Sequence, residues 1–256
     1  WRLHEQSKPK KKRAATDDEL SITKGRSMCP HCKHTLGFWD LLPVVSWLAL
    51  GGKCRYCKKP ISWQYPEVGL LTATLFVASY QFWPVEFGMG WVYWAQFGAW
   101  LAAIIIGMAL AVYDVRWMLL PNRLVTILAS LGGLYALFSL LSGYEMLFML
   151  ELILAVVIAG GIFWLLFQIS NGKWIGGGDV KLGLALGLFL MTPDKALLML
   201  FLASLLGTLY AGVLVLLRKY HKGSHIPFGP FLIAATYFVV LFGDRIADIY
   251  TQLFLI

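Results

Sequence analysis

The chain has 256 residues, of which 59% are hydrophobic and only 14% are charged. Soluble domains are about 45–50% apolar and about 25% charged, so this composition excludes an ordinary water-soluble protein. Lys and Arg number 22 against 14 Asp and Glu, a net charge of +8, and most of these cations precede residue 66. The composition predicts a basic head followed by a membrane-embedded body.

The head opens on a basic run at residues 8–13. Such a run can bind nucleic acid, but beside membrane spans it is more typical of a topology signal at the anionic cytoplasmic leaflet, so no nucleic-acid partner is predicted. The first residue is Trp1 rather than Met, and no signal-peptide pattern follows it. We therefore expect the natural chain to begin upstream.

All four cysteines lie in the head, as Cys29-x2-Cys32 and Cys54-x2-Cys57. Two such pairs can converge on one tetrahedral zinc ion; the alternatives are two disulfides or four unrelated thiols. A reducing cytoplasmic location disfavours the disulfides. Four thiolates leave no open coordination position, so the predicted zinc is structural and stabilises a head too small to fold by its core alone. His31 and His34 are expected to be exposed rather than ligating.

From residue 67 onward the chain is mostly apolar and predicts an all-α polytopic membrane protein, because about 20 apolar residues cross the hydrocarbon core. The predicted domains are a cytoplasmic head at 1–66, with the basic segment and the zinc-binding loop, and a membrane domain at 67–256. The fifth span is short and starts with glycines, which predicts a helix that begins inside the bilayer. The seven predicted spans lie at 67–83, 91–113, 123–142, 146–169, 179–192, 195–218 and 226–243.

The cations predict the orientation of these spans. With the head in the cytoplasm, 20 of the 22 Lys and Arg residues fall on the cytoplasmic side, and only Lys195 and Arg245 fall outside. Cytoplasmic loops carry such an excess of cations. Small residues four apart, such as Gly183 and Gly187, predict close helix–helix contacts.

Two carboxylates border the predicted spans. Asp114 ends the second span and Asp179 opens the fifth, and because two spans separate them, both are predicted at the cytoplasmic face. Ionisable groups at such positions mark functional sites. Paired carboxylates that share a proton can perform aspartic-protease chemistry, and Gly176, Gly177 and Gly178 would let an extended peptide approach them.

Other interpretations of the two aspartates stay open on these residues alone. Asp179 could be only a helix cap, and Asp114 could belong to a surface ion pair. An ion-coupled transporter would use both as relay groups, although no polar residues continue to the other face. A non-catalytic scaffold of a secretion or pilus machine would bind its partners through the head.

Four ordered signatures cover nearly the whole chain. The first is the cysteine loop, which also carries Asp40-Leu41-Leu42-Pro43 and Tyr65-Pro66. The second is Asp114 followed by Pro121. The others are Gly176-x-Gly178-Asp179-Val180-Lys181 and Pro227-Phe228-Gly229-Pro230. In this order and spacing, the four signatures resemble those of the type IV prepilin peptidases.

The resemblance implies a bacterial inner-membrane aspartic endopeptidase of the GxGD type, with Asp114 and Asp179 as its catalytic pair. Such enzymes remove the basic leader of prepilins and pseudopilins at the cytoplasmic face, commonly between a Gly and a Phe-like residue. Many also methylate the new N-terminus with S-adenosylmethionine. The residues implied to form the substrate loop are Gly176, Gly177, Gly178, Lys181, Pro227, Phe228, Gly229 and Pro230.

One departure concerns the methyl transfer. The family has a Glu four residues after the Tyr of its Tyr-Pro pair, where this chain has Gly69, and Glu67 would face about 200° away on a helix. A peptidase without methyltransferase activity is therefore the alternative. The family usually has eight spans, with one ahead of the cysteine loop. The pilin system served and the oligomeric state are not predicted.

Helix direction suggests a division of roles between the aspartates. Asp179 lies near a predicted helix N-terminus, whose dipole favours a negative charge, and Asp114 lies near a C-terminus, which disfavours it. We therefore expect Asp179 to be the ionised base and Asp114 its protonated partner.

Overall fold

The computed structural model describes residues 26–84, 90–142, 147–219 and 226–254. The predicted basic run at 8–13 lies outside the described residues, and so does Lys222, one of the 20 cations predicted on the cytoplasmic side. The chain divides into two compact units, Trp1–Thr74 and Leu75–Ile256.

The first unit contains two knuckles of the same backbone pattern. In the first, Lys33 N–H donates to the Cys29 carbonyl at 2.9 Å, and Cys29 N–H donates to the His34 carbonyl at 3.0 Å. The second repeats these bonds from Lys58 to Cys54 and from Cys54 to Lys59. In each knuckle the lysine adopts a left-handed conformation, with φ of 56° and 58°. The chain thus turns back sharply after each cysteine pair.

A short 3-10 helix, Phe38–Leu41, and helix α1, Pro43–Ala49, lie between the knuckles. Asp40 joins them to the second knuckle, because its carboxylate accepts hydrogen bonds from Arg55 Nε at 2.8 Å and from the Tyr56 hydroxyl at 3.3 Å. The Arg55 guanidinium holds the pKa of Asp40 below its usual value. This network ties the segment between the knuckles to the cysteine loop.

The long helices match the predicted spans in number and order. Compared with the predictions, α3 continues past Asp114 to Trp117, and α8 continues beyond residue 243. Their bounds are α2, Gln64–Gln81; α3, Trp91–Trp117; α4, Asn122–Leu141; α5, Leu147–Ser170; α6, Gly177–Leu190; α7, Pro193–Leu216; and α8, Gly229–Phe254.

Five of these helices, α3, α4, α5, α7 and α8, are long and apolar enough to cross a membrane, so the chain has the build of a polytopic membrane protein. The other two predicted spans are helical but do not reach that length and apolarity. Helix α2 starts with the polar turn Gln64-Tyr65-Pro66-Glu67, and α6 has only 14 residues. The expectation of about seven spans therefore rests on five full-length helices and two shorter or more polar ones.

Helix α6 is the centre of the second unit. It packs against α4, α5, α7 and α8, and most of its side chains are buried. Gly183 and Gly187 make the close contacts with α5 that their spacing predicts. A Cβ atom on Gly187 would lie 2.7 Å from the Val156 Cα, and one on Gly183 would collide with the Ala159 carbonyl. These glycines let a short helix sit deep among longer ones.

Buried hydrogen bonds link α2, α3 and α8 inside the second unit. Trp100 Nε1 donates to the Ser79 hydroxyl at 3.1 Å, and the Ser79 hydroxyl lies 3.2 Å from the Tyr237 hydroxyl. Tyr237 in turn donates to the Leu75 carbonyl at 2.7 Å. Buried polar groups need such partners, and this chain of bonds fixes the relative positions of the three helices.

Candidate active site

Asp114 lies in the last turn of α3, where the helix stops abruptly. Met118 adopts a left-handed conformation, with φ of 50°, and its N–H donates to the Asp114 carbonyl at 2.8 Å. This is a common way for a helix to end. The turn that follows leads through Leu120 to Pro121, the residue that precedes α4. Asp114 is thereby placed at the end of the bundle where α3 meets α4.

The Asp114 side chain is only 6% exposed, and it contacts the start of α8. Its Oδ2 accepts a hydrogen bond from the Gly229 N–H at 2.9 Å. The first N–H groups of a helix have no partner inside the helix and bind carboxylates readily. A Cβ atom on Gly229 would lie 2.6 Å from this oxygen, so glycine is required for the approach.

Asp179 lies in the first turn of α6 and is half-buried. Its carboxylate receives a backbone hydrogen bond from Gly176, the residue that caps the helix. This contact is the helix cap that the sequence leaves open as an alternative. The same carboxylate also lies close enough to Asp114 for the charge of one to act on the other. Asp179 therefore has both a capping contact and a carboxylate neighbour.

Gly178 brings the two aspartate segments together. A Cβ atom on Gly178 would lie 3.2 Å from the Leu120 Cβ, so α6 approaches the turn after α3 more closely than a larger residue would allow. Gly177 and Gly178 belong to the helix itself, and Gly176 precedes it in an extended conformation. The structure thus gives Gly178 a packing role at this site.

The other predicted loop residues surround this position. Lys181 is exposed, and its Nζ donates to the Asn122 Oδ1 at 3.0 Å. Phe228 is half-buried and packs edge-on against Phe163, with 5.8 Å between the ring centroids. Pro227 precedes α8 and Pro230 lies in its first turn. Among these residues, Gly229 makes the direct contact with Asp114.

Sequence reasoning missed three contacts between segments that are distant in the chain. The Gly229 N–H donates to Asp114, Leu120 packs closely against Gly178, and Lys181 donates to Asn122. The Gly229 contact had a signal, because Gly-Pro after a loop is typical of a helix start, where free amides collect. Leu120 and Asn122 carry no such signal.

The contact with Gly229 also undermines the expected division of roles. The argument from helix direction placed only Asp179 at a helix N-terminus. In the structure Asp114 touches the N-terminus of α8, so both carboxylates lie where a helix favours negative charge. Helix direction therefore does not distinguish the ionised aspartate from its protonated partner. Chemically, two neighbouring carboxyl groups of this kind can hold one proton between them.

The four cysteine sulfurs of the first unit form a cluster, all within 4.8 Å of one another, and no disulfide joins them. Cys29 Sγ and Cys57 Sγ are 3.9 Å apart. Ligands about 2.3 Å from a tetrahedral zinc ion would be about 3.8 Å from each other, so the cluster has the size of a metal site. The His34 Nδ1 bonds to the Thr35 carbonyl at 2.8 Å, and neither histidine belongs to the cluster.

The backbone around the second knuckle favours a thiolate. Hydrogen bonds from the backbone of Cys57 and Tyr56 lower the pKa of Cys54 to about 7. A cysteine binds a metal ion as the thiolate, and the lowered pKa makes the thiolate form of Cys54 easier to reach at neutral pH. The cluster could therefore hold a metal ion.

Comparison with known proteins places the chain in a family. Residues 6–83 match the bacterial Peptidase A24 N-terminal domain, and residues 101–212 match the Type IV leader peptidase family. The first match covers the cysteine loop, and the second covers both aspartates. No solved structure matches the chain.

Several bacterial relatives, each named prepilin leader peptidase/N-methyltransferase, align with most of the chain. The protein from Aeromonas hydrophila is 37% identical over 235 residues, which cover 90% of this chain and 76% of the relative. The proteins from Pseudomonas aeruginosa and Bacillus subtilis are 36% and 32% identical, covering 88% and 91% of this chain and 74% and 88% of the relatives. On these matches, the chain belongs to the type IV leader peptidase family, a family of membrane proteases.

Proposed function

We propose that this protein cleaves the leader from type IV prepilins or pseudopilins, with Asp114 and Asp179 as its catalytic pair. The observation that carries the proposal is the placement of carboxyl groups from α3 and α6 near enough for the charge of Asp114 to act on Asp179, with Asp114 held by the Gly229 amide. Both belong to the segment that matches the peptidase family. An ion-coupled transporter would use the same two carboxylates as relay groups, and the match of this segment to a peptidase family favours the protease over the transporter.

The arrangement suggests how the peptide bond is hydrolysed. The ionised carboxylate takes a proton from water, whose oxygen attacks the scissile carbonyl carbon while the protonated carboxyl donates to the carbonyl oxygen. The resulting tetrahedral intermediate breaks its C–N bond as a proton passes to the leaving nitrogen. Asp114 Oδ2 accepts the Gly229 N–H, and this hydrogen bond orients the carboxyl group for its part in the reaction.

Replacement of either aspartate tests the pair. Asp114→Asn and Asp179→Asn should each abolish cleavage of a co-expressed prepilin while the protein remains folded in the membrane, because an amide cannot share the proton. Mass spectrometry of the prepilin N-terminus reports cleavage, and Asp194→Asn in the first turn of α7 is a matched control. Near-normal cleavage by either variant would show that the pair is wrong.

Methylation of the new N-terminus by S-adenosylmethionine is the second proposed activity, and the names of the relatives support it. The position where the resemblance expects a carboxylate is Gly69, and Glu67 is exposed in the first turn of α2. The residues at this position thus do not fit the family pattern. The same mass spectrum decides between the two activities, since a methyl group adds 14 Da and a peptidase alone leaves the cleaved N-terminus unmodified.

The metal of the cysteine cluster is proposed to be a structural zinc ion held by Cys29, Cys32, Cys54 and Cys57. Four sulfur donors of tetrahedral size suit zinc and leave no position for a substrate. When bound, the ion would tie the two knuckles together and take no part in hydrolysis.

The proposed location is the bacterial inner membrane, with the head and both aspartates facing the cytoplasm. The cations support this orientation, because Arg116, Arg123, Lys173 and Lys181 lie at the α3–α4 and α5–α6 connections, on the side of the aspartates. Lys195 lies at the opposite end of the helices. The lipid bilayer and the prepilin are the proposed partners.

A further inference from the structure

A cavity with several polar groups in its walls lies at the end of the helical unit opposite the two aspartates. Its volume is about 270 Å³, far more than a single buried water molecule needs. Five helices contribute to its walls, which include Gln96 of α3, Tyr135 of α4, Phe189 of α6, Lys195 of α7 and Asp244 of α8. The cavity is therefore large enough for a small organic group.

The depth of the cavity corresponds to a border of the membrane. Along α3, Gln96 precedes Asp114 by about five helical turns, or about 27 Å. Along α8, Asp244 follows Gly229, the residue bonded to Asp114, by about four turns, or about 22 Å. The hydrocarbon core of a bilayer is about 30 Å thick. With the aspartates at one border of this core, the cavity lies near the other border, at the level of the phospholipid headgroups.

A buried cation lines the cavity. Lys195 is only 9% exposed, and its Nζ lies 2.7 Å from Asp244 Oδ1. The aliphatic stem of Lys195 lies against α8, because a Cβ atom on Gly243 would be 3.4 Å from the Lys195 Cγ. An ammonium group has three N–H donors, and the ion pair uses one of them. The ammonium is thus held in place with donors left for a phosphate oxygen.

Acceptors lie beside this cation. The Asp244 side chain is 59% exposed, so its carboxylate has room for a second positive partner. Gln96 is buried, and its Nε2 donates to the Ser139 Oγ at 2.7 Å. Because the Ser139 hydroxyl donates to the Tyr135 carbonyl at 3.1 Å, it accepts from Gln96, which fixes the orientation of that amide. The Oε1 of Gln96 is consequently left as an acceptor for an ammonium group.

The charges of the cavity select a zwitterion. An anion would be repelled by Asp244 and a cation by Lys195, whereas a group that carries both charges pairs with both residues. We infer that this cavity binds the headgroup of a zwitterionic phospholipid with a primary amine, of the phosphatidylethanolamine type. The phosphate lies at Lys195, and the amine lies at Asp244 and Gln96. The bound lipid joins α3, α7 and α8 at this end of the bundle, whether or not the protein cleaves a prepilin.

Lipid binding to the purified full-length protein tests this site. Native mass spectrometry in mild detergent counts the bound phospholipids during titration with lipids of identical acyl chains. One molecule of phosphatidylethanolamine should bind about tenfold more tightly than phosphatidylglycerol, which has no ammonium, or phosphatidylcholine, whose ammonium has no N–H. Equal affinities for the three lipids, or no bound phosphatidylethanolamine, would overturn the inference.

The soluble headgroup separates a lipid from a free phosphate compound. Glycerophosphoethanolamine has the same phosphate and amine but no acyl chains, and at equal concentration it should not displace the bound lipid. Displacement would show that the cavity takes a soluble ligand and would overturn the assignment to a lipid.

Lys195→Met removes the proposed phosphate donor, and Arg245→Met is its matched control. Both variants lose one cation at the same end of the unit, but Arg245 is exposed and does not line the cavity. Lys195→Met should weaken the binding of phosphatidylethanolamine about tenfold, and Arg245→Met should leave it unchanged. Similar affinities of the two variants would contradict the role of Lys195.

A second pair of variants keeps the ion pair intact. Ser142 lines the cavity, whereas its neighbour Leu141 is exposed and does not. Phosphatidylethanolamine should raise the melting temperature of the protein, because it binds the folded state. Ser142→Trp should fill part of the cavity and abolish this rise, and Leu141→Trp should retain it. An equal rise in the two variants would contradict the placement of the headgroup in this cavity.

Discussion

The main-chain amide of Gly229 donates a hydrogen bond to Asp114, and this contact depends on the absence of a side chain at residue 229. A methyl group there would lie 2.6 Å from Asp114 Oδ2, a distance at which the carboxylate or the start of α8 must move. Active sites lose about 100-fold in rate when a catalytic group shifts by about 1 Å. Residue 229 therefore controls the position of Asp114 without contributing a functional group.

We predict that Gly229→Ala lowers kcat for prepilin cleavage by about 100-fold while the protein still folds and inserts. Gly212→Ala on α7 is the matched control, because a Cβ atom there meets nothing within 4 Å. The measurement is the rate of prepilin cleavage at equal amounts of membrane-inserted protein. A Gly229→Ala variant as active as Gly212→Ala would show that the contact with Asp114 is unimportant.

For individual residues, the sequence predicts which ones belong to the candidate site better than it predicts which residues they contact. The scarcity of acids in an apolar chain makes Asp114 and Asp179 conspicuous. The distance in sequence from Asp114 to Gly229 is 115 residues, and no local pattern encodes a contact of that range. The expected roles of the two aspartates depended only on the direction of the helix that carries each of them. Because the N-terminus of α8 contacts Asp114, that difference between the two carboxylates is lost.

Among the elements, the two knuckles and α6 show what a local pattern can predict. The paired spacing of the cysteines was enough to predict their convergence, because each knuckle is a local turn. The short helix α6 was equally visible, as an apolar segment that starts with glycines. The ends of α3 and α8 were predicted less well, because the helical hydrogen bonds continue through polar residues such as Arg116 and Asp244 where apolarity stops.

We predict one zinc ion per chain, lost on replacement of a cluster cysteine. Cys32→Ala should reduce the zinc content to near zero and make the head sensitive to protease, because a small domain of this kind folds with its metal. His31→Ala, one residue away and outside the cluster, should keep the full zinc content. Elemental analysis of the purified protein measures both. Retention of zinc by Cys32→Ala, or its loss from His31→Ala, would contradict the four-cysteine site.

At the scale of the whole molecule, the two ends of the helical unit differ in chemistry. The end with the aspartates carries most of the cations, whereas the opposite end carries Lys195, which is nine-tenths buried and bonded to Asp244 at 2.7 Å. A cavity of about 270 Å³ beside this pair is also lined by Gln96 and Tyr135. This ion pair joins α7 to α8 far from the proposed chemistry.

We predict that Asp244→Asn destabilises the protein without a specific effect on cleavage, because it leaves Lys195 buried without its carboxylate. The cost should be about 1–2 kcal/mol, less than for a fully buried pair, since Asp244 is itself well exposed. Asp248→Asn, one turn further along α8, is the control. Thermal unfolding in detergent measures the difference, and equal melting temperatures for the two variants would argue against a stabilising pair.

The central position of α6 has a consequence for biosynthesis. A helix of 14 residues is too short to enter the bilayer as an independent span, and its glycines need α5 beside them, so it has to insert together with its neighbours. Asp179 thus takes its place only when α5 has done so. Asp114 lacks its amide partner until the ribosome has added Gly229. The nascent chain is consequently unable to complete its active site before α8 has begun to form.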